Sequence, residues 1–184
     1  CFGDSAPGSW GRQLMRQRNR RTAEKKGEAP RTLTEFDYLL GVRDDARQGC
    51  LRYAMSDRPG HFLASDHDGI PHLVHLGDLI NSADDVERGT ATDDALDALL
   101  HAGSSLGGAR PKAHLRLRDG GLAIAKFPSV TRDTEFSVIV WEAVALTLAR
   151  DAGLNTPDFE RVSVPVGRGE RSILVLRRFD RRQL

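Results

Sequence analysis

Apolar positions along the chain have two textures. Up to residue 103 they recur mostly every three or four residues, and just beyond it they alternate. Residues 8–26 are predicted to form a helix that opens near Ser9 and stops at Gly27. The loop GEAPRT follows, and Thr32 or Thr34 then caps a short helix through EFDYLLGV, with Glu35 and Asp37 near its positive end. CLRYAM reads as a short strand and DRPGH as a turn. Leu76, Leu79, Ile80 and Val86 recur at helical spacing in LGDLINSADDVERG. Leu96, Leu99 and Leu100 do so in ATDDALDALLHAG, where Thr92 is the candidate cap and Gly103 the stop. The acids Asp84, Asp85, Glu87, Asp93, Asp94 and Asp97 are expected at the surface.

After residue 103, AHLRLRDGGLAIAKF alternates on both sides of DGG, which predicts a hairpin. Ala113, Leu115 and Leu117 would share one face, and His114, Arg116 and Arg118 the other. TEFSVIVWEAVALTLARDAGL predicts a long helix capped by Thr134 and ended by Gly153, with an apolar stripe of Val138, Trp141, Ala145 and Leu148. NTPDFERVSVPVG and RSILVLRRF read as two strands around the turn GRGER. A helical first part followed by a small antiparallel sheet with one long packed helix is an α+β fold. The expected divisions are 1–30, 31–102 and 103–184.

Composition narrows the class. The chain has 184 residues, 39% of them apolar and 29% charged, which suits a globular core with an appended subdomain. Its longest apolar run lies within residues 138–148 and is broken by Glu142, too short to span a bilayer. No charged-then-apolar leader opens it. The two cysteines, Cys1 and Cys50, share no metal-ligand spacing and make no disulfide scaffold, so a cytoplasmic setting and no membrane partner are expected. Cys1 stands where an initiator methionine would, and RRFDRRQL ends the chain without a turn, so it reads as a piece of a longer protein. Net charge is +1, yet residues 12–26 hold seven cations against one glutamate. That cluster is either a surface for nucleic acid or an acidic partner, or a solvated helix face. It has few interleaved aromatics and no recognition-helix or zinc pattern, which counts against the first.

Chemistry concentrates in the second half. In GSSLGGARPK, Gly103, Gly107 and Gly108 can expose backbone N–H groups as an anion nest, and Arg110 and Lys112 add charge. The spacing is neither a Walker A nor a dinucleotide fingerprint, so a flexible connection fits it as well. Lys126 lies among apolar neighbours on the second hairpin strand, as a phosphate ligand or as an exposed edge lysine. Glu142 lies on the border of the long helix's apolar face. A carboxylate there either pairs with Lys126 or reaches out to water beside Trp141. A strand lysine paired with a helix glutamate below a glycine loop is how a kinase small lobe positions phosphate. Downstream, LVLRRFDR would lead out of the sheet, with Phe179 against an adenine ring or simply in a core.

Taken together, DSAPGSWGR, SSLGGARPKA, IAKFPS, WEAVALTLARDAGLNTPD and LRRFDR resemble the HipA-type serine/threonine protein kinases, the toxins of bacterial type II toxin–antitoxin modules. The resemblance runs over nearly the whole chain and would make it an N-terminal part of such a protein, ending in a kinase-like small lobe. It implies that Ser105, Leu106, Gly107, Gly108, Ala109, Arg110 and Lys112 form the phosphate-binding loop, with Ser105 an autophosphorylation site. It further implies that Lys126 contacts ATP phosphates, that Glu142 is the helix glutamate, and that Arg177 and Phe179 flank the adenine with Asp180 beside them. ATP and Mg²⁺ are the implied cofactors, a protein the substrate, and a DNA-binding antitoxin of the HipB type the partner, with operator DNA reached only through it. The family's catalytic carboxylate and metal ligands lie in a C-terminal helical lobe. No catalytic residue is therefore expected within these 184, and the chain alone is expected to be inactive. Ala6 and Gly8 depart from the family's DSLPD turn. The competing expectation is a regulatory or nucleic-acid-associated module using the basic helix.

Overall fold

A computed structural model describes residues 2–44, 46–49, 51–55, 62–63, 70–71, 73–103, 105–133 and 136–180. Its elements are α1 (Ser9–Lys26), α2 (Glu35–Leu40), α3 (Leu76–Arg88), α4 (Asp93–Gly103), β1 (Lys112–Arg116), β2 (Leu122–Lys126), α5 (Val138–Asp151), β3 (Phe159–Val166) and β4 (Gly169–Arg177). The class is α+β. The chain divides into two compact units that alternate in sequence: residues 1–70 with 92–109, and residues 71–91 with 110–184.

The first unit is helical. Trp10 and Leu14 of α1 are buried, as are Leu96, Leu99 and Ala102 of α4, against which α1 packs. Gly27 ends α1 at φ +68, where its N–H donates to the carbonyls of Ala23 and Glu24. Thr34, one of the two expected caps, opens α2 with a capping box: its side chain accepts from the Asp37 N–H, and Asp37 accepts from the Thr34 N–H at 2.7 Å. Thr92 Oγ1 accepts from the Ala95 N–H at 3.2 Å at the start of α4.

Arg47 organises this unit from within. It is 1% exposed and donates to the carbonyls of Ser5, Leu39 and Val42 and to the carboxylate of Asp44. A buried guanidinium needs such a set of acceptors, because its desolvation is otherwise uncompensated. CLRYAM is not a strand: residues 51–53 have no ladder, and Ala54 makes only an isolated antiparallel bridge to Phe62. Arg52 instead stacks on the Phe62 ring and pairs with Asp44. The expected turn at DRPGH lies outside the described residues.

The second unit is a four-stranded sheet in the order β1-β2-β4-β3, antiparallel throughout. One face carries Ala113, Leu115, Ala123, Ala125 and Ile173, all fully buried, and α3 packs on this side, Gly77 meeting Val164 of β3. Alternation puts Lys112, His114, Ile124, Lys126 and Leu174 on the opposite face, where α5 lies against β3 and β4. His114 is completely buried there. Leu117 lies beyond β1, its N–H donating to the Gly121 carbonyl in the turn.

Two expectations about helix surfaces are overturned. Asp84 is 5% exposed, on the buried side of α3, and pairs with Arg171 of β4. Asp85, Glu87, Asp93 and Asp97 are half-buried, and only Asp94 of the six is exposed. Arg171 of β4 draws in Asp84, and Arg18, Arg21 and Lys25 of α1 draw in Asp97 and Asp93, whereas Glu87 turns to the Ser129 hydroxyl and the Val130 N–H. In α5 the buried side chain is Ile139, whereas Trp141 is 61% and Leu148 63% exposed. The expected stripe therefore faces outward. The helix is apolar nearly all round, so periodicity does not single out the face that meets the sheet. Its cap is Ser137, whose side chain accepts from the Val140 N–H. The expected cap, Thr134, lies outside the described residues.

Candidate anion site on the lysine face of the sheet

Lys112 and Lys126 are direct partners in the β1–β2 register. The hairpin places them equidistant from the Asp119 turn, and partners in a ladder project to the same face. That face meets α5, and Glu142 of α5 forms an ion pair and hydrogen bond with Lys126. Both are about one-third exposed. Two ammoniums and one carboxylate thus share a partly desolvated spot, which leaves a surplus positive charge for an anion. Burial, then the nearby Lys126, pushes the Lys112 amine below its ordinary pKa, with Glu142 opposing them.

The rim is fixed by two carboxylates, Asp133 with a buried side chain and Glu87 half-buried. Arg110, just before β1, donates from Nε and Nη2 to Asp133 Oδ1 at 3.2 and 2.8 Å. The other Asp133 oxygen accepts the Ser129 N–H at 2.9 Å. Glu87 of α3 accepts the Ser129 hydroxyl at 2.7 Å and the Val130 N–H at 2.8 Å. The loop after β2 is therefore clamped from two sides. Arg110 is a structural tie as well as an expected phosphate ligand. Asp133 and Glu87 were not singled out from the sequence, because their partners lie 23 and more than 40 positions away. Nor was Lys112 paired with Lys126 from the sequence, although both lie seven positions from Asp119.

The glycine loop belongs to the first unit. Gly8 N–H donates to the Leu106 carbonyl at 3.1 Å, and Trp10 N–H to the Gly108 carbonyl at 3.0 Å. A Cβ on Gly8 would collide with the backbone of Gly107 and Gly108. Gly108 adopts φ +83, which favours glycine. The glycines thus serve a close approach of two backbones, the start of α1 and this loop. Leu106 is buried, and Ser105 is 3% exposed with its hydroxyl donating to the Ala46 carbonyl at 3.0 Å. Phosphorylation of Ser105 would require that bond to open. Ala109 ends this unit.

The remaining expected residues lie at the end of β4. Arg177 pairs with Asp119 of the hairpin turn, and Arg178 forks onto Asp180. Phe179 is 86% exposed. In the first unit four of the seven cations of the basic helix pair with acids: Arg12 with Glu35, Arg18 with Asp97, and both Arg21 and Lys25 with Asp93. Among the described residues, no helix is long and apolar enough to cross a membrane. Nor, among them, do three or more His, Cys, Asp or Glu side chains cluster as a metal site would need.

Residues 104–184, somewhat under half of the chain, match the family model described as the HipA-like C-terminal domain. The match supports the resemblance over these residues and corrects one part of it: they correspond to a C-terminal domain, not to an N-terminal part. Fold order alone would not make that distinction, since a sheet and helix that open a kinase-like core can stand well inside a longer protein. No curated protein and no solved structure matches the chain.

Proposed function

We propose that residues 104–184 are the nucleotide-binding portion of a HipA-like toxin serine/threonine protein kinase, with the sheet and α5 as its small lobe. The observation that carries this reading is the Lys126–Glu142 ion pair joining β2 to α5, with Lys112 opposite. An ammonium held in place by a carboxylate is oriented before a phosphate arrives, so less freedom is lost on binding. The donor set suits a polyphosphate, with two cations, one carboxylate and a partly dry setting. ATP would supply the phosphoryl group. Lys112 and Lys126 would hold its phosphates, while Arg110 braces the entry to β1 through Asp133. The glycine-loop residues Ser105 to Ala109, and Arg177, Phe179 and Asp180, are carried over from the resemblance under the same reading. So are autophosphorylation at Ser105, a HipB-type antitoxin, Mg²⁺ and a protein substrate. The reading assigns the catalytic base and metal ligands to sequence outside this chain, which alone is then expected not to transfer phosphate.

The alternative, a nucleic-acid-associated module using the basic helix, is disfavoured by the acids that pair with four of the seven cations of α1. The test is titration of the 184-residue chain with a fluorescent ATP analogue. Lys126→Ala should weaken binding by at least about tenfold, the scale of a lost charge-assisted hydrogen bond, and Lys25→Ala should leave it unchanged. Equal affinity for the parent and Lys126→Ala would reject the reading.

A further inference from the structure

The chain's basic chemistry is almost wholly arginine. Of its 27 basic residues only four are lysines: Lys25, Lys26, Lys112 and Lys126. Two of the four oppose each other across β1 and β2. Arginine keeps its charge at any ordinary pH, whereas a lysine amine can lose its proton and attack an electrophile. The four amines differ sharply in setting. Lys26 is exposed, and Lys25 is 65% exposed and paired with Asp93. Lys126 is partnered by Glu142. Lys112 is half-buried beside a second ammonium, and that arrangement activates an amine. Among the described residues, the charged groups around it include Lys126 from β2, Glu142 from α5 and, just ahead on its own chain, Arg110, which is itself paired with Asp133.

We propose that Lys112 is a site of acylation by small acyl phosphates, the Lys126 ammonium receiving the phosphate of the donor beside the attacking amine. The role given to Lys126 rests on the phosphate reading above. The lowered pKa of Lys112 keeps a larger share of it neutral than of an exposed lysine. Its nitrogen lone pair attacks the acyl carbon, the bond from that carbon to the phosphate oxygen breaks, and phosphate leaves with the electron pair. The proton lost from nitrogen goes to the departing phosphate, so the products are an amide and hydrogen phosphate. Two ammoniums facing one carboxylate become one, and the surplus charge that attracts polyphosphate disappears. Acylation at Lys112 thereby switches the anion site off without disturbing its fold.

Having so few lysines makes the test direct. The intact chain is incubated with acetyl phosphate at pH 8, and acetylation at each lysine is followed by peptide mass spectrometry. Lys112 should label several-fold faster than Lys25 and Lys26, because burial and the neighbouring ammonium favour its neutral, nucleophilic form. Inorganic pyrophosphate should protect it. Lys126→Ala should slow it, whereas Lys126→Arg, which keeps the charge, should not, with circular dichroism confirming that both variants fold. Even labelling of all four lysines, preference for Lys126, or indifference to pyrophosphate in the parent chain would overturn the proposal. The nucleotide reading is judged separately, by ATP-analogue affinity: preferential, pyrophosphate-sensitive labelling of Lys112 would uphold this inference even where Lys126→Ala leaves that affinity intact.

Discussion

Replacing Gly8 tests whether the glycine loop is shaped by packing. The Gly8 backbone, at φ −72 and ψ −172, suits any residue, so conformational strain does not enter. Space does: an added Cβ would lie 2.7 Å from the Gly107 carbonyl carbon and 2.8 Å from its Cα, and nearer still to the Gly108 nitrogen. The obstacle is backbone, which cannot rotate aside as a side chain can. If the loop holds its position, the strain is that of an overpacked core, about 1–3 kcal/mol. If it retreats, the bonds from Gly8 to Leu106 and from Trp10 to Gly108 are lost at about 1 kcal/mol each. Both routes give about 2 kcal/mol, or a urea midpoint lowered by about 1 M. Serine is the decisive substitution. It is a better helix cap than glycine, so capping alone predicts that Gly8→Ser stabilises the chain, whereas collision predicts a loss. Emission from buried Trp10, followed in a Trp141→Phe background, reports on this unit. Gly107→Ala is the control. Its Cβ would meet only Gln48 Oε1 at 3.8 Å, so a change within about 0.5 kcal/mol is expected. A Gly8→Ser variant at least as stable as the parent would refute the reasoning.

Three further outcomes follow from the geometry. Arg47→Met should destabilise the first unit by about 3–5 kcal/mol, because three carbonyls lose their donor and buried Asp44 is left with Arg52 as a partner; an unchanged melting temperature would contradict this. Ile139→Ala should cost about 2–4 kcal/mol and Leu148→Ala less than about 0.5, which chemical denaturation can rank, and the reverse order would restore the stripe read from the sequence. Glu35, Asp37, Asp93 and Asp119 are each held below the usual carboxylate range, chiefly by hydrogen bonds from Arg12, Arg31, Lys25 and Arg177 respectively. The unfolded chain takes up these protons first, so their contribution is intact above about pH 4 and falls away below it. The fall should be shallower in high salt, since each pair is at least partly open to solvent. Burial raises Asp84 instead. Its contribution is present at low pH and is lost as pH rises through its folded pKa, so Asp84→Asn should make the acid loss steeper.

What could be read from the sequence was what depends on neighbours in the chain. The stop at Gly27, a cap at Thr32 or Thr34 and the hairpin around Asp119 each involve residues within a few positions of one another. The Lys126–Glu142 pair was also legible, because a carboxylate on an apolar helix border calls for a cation and the adjoining strand offers one. Long-range partners were not. Asp133 and Glu87 look like ordinary surface acids until the fold brings Arg110 and Ser129 to them, and nothing in ARQ announces that Arg47 is a buried hub. The face of α5 was misassigned because its composition leaves the 3.6-residue period without contrast. The glycines near residue 107 were read toward a ligand, yet part of their reason is Gly8, a hundred positions away.

The outward side of α5 has a practical corollary. Trp141, Val144 and Leu148 stand in water along one helix, an oily ridge that soluble proteins seldom leave bare over any length. At the bench the isolated chain should behave as a sticky colloid, brightening anilinonaphthalene sulfonate, smearing on gel filtration as concentration rises, and dispersing when Leu148 and Trp141 are exchanged for glutamine.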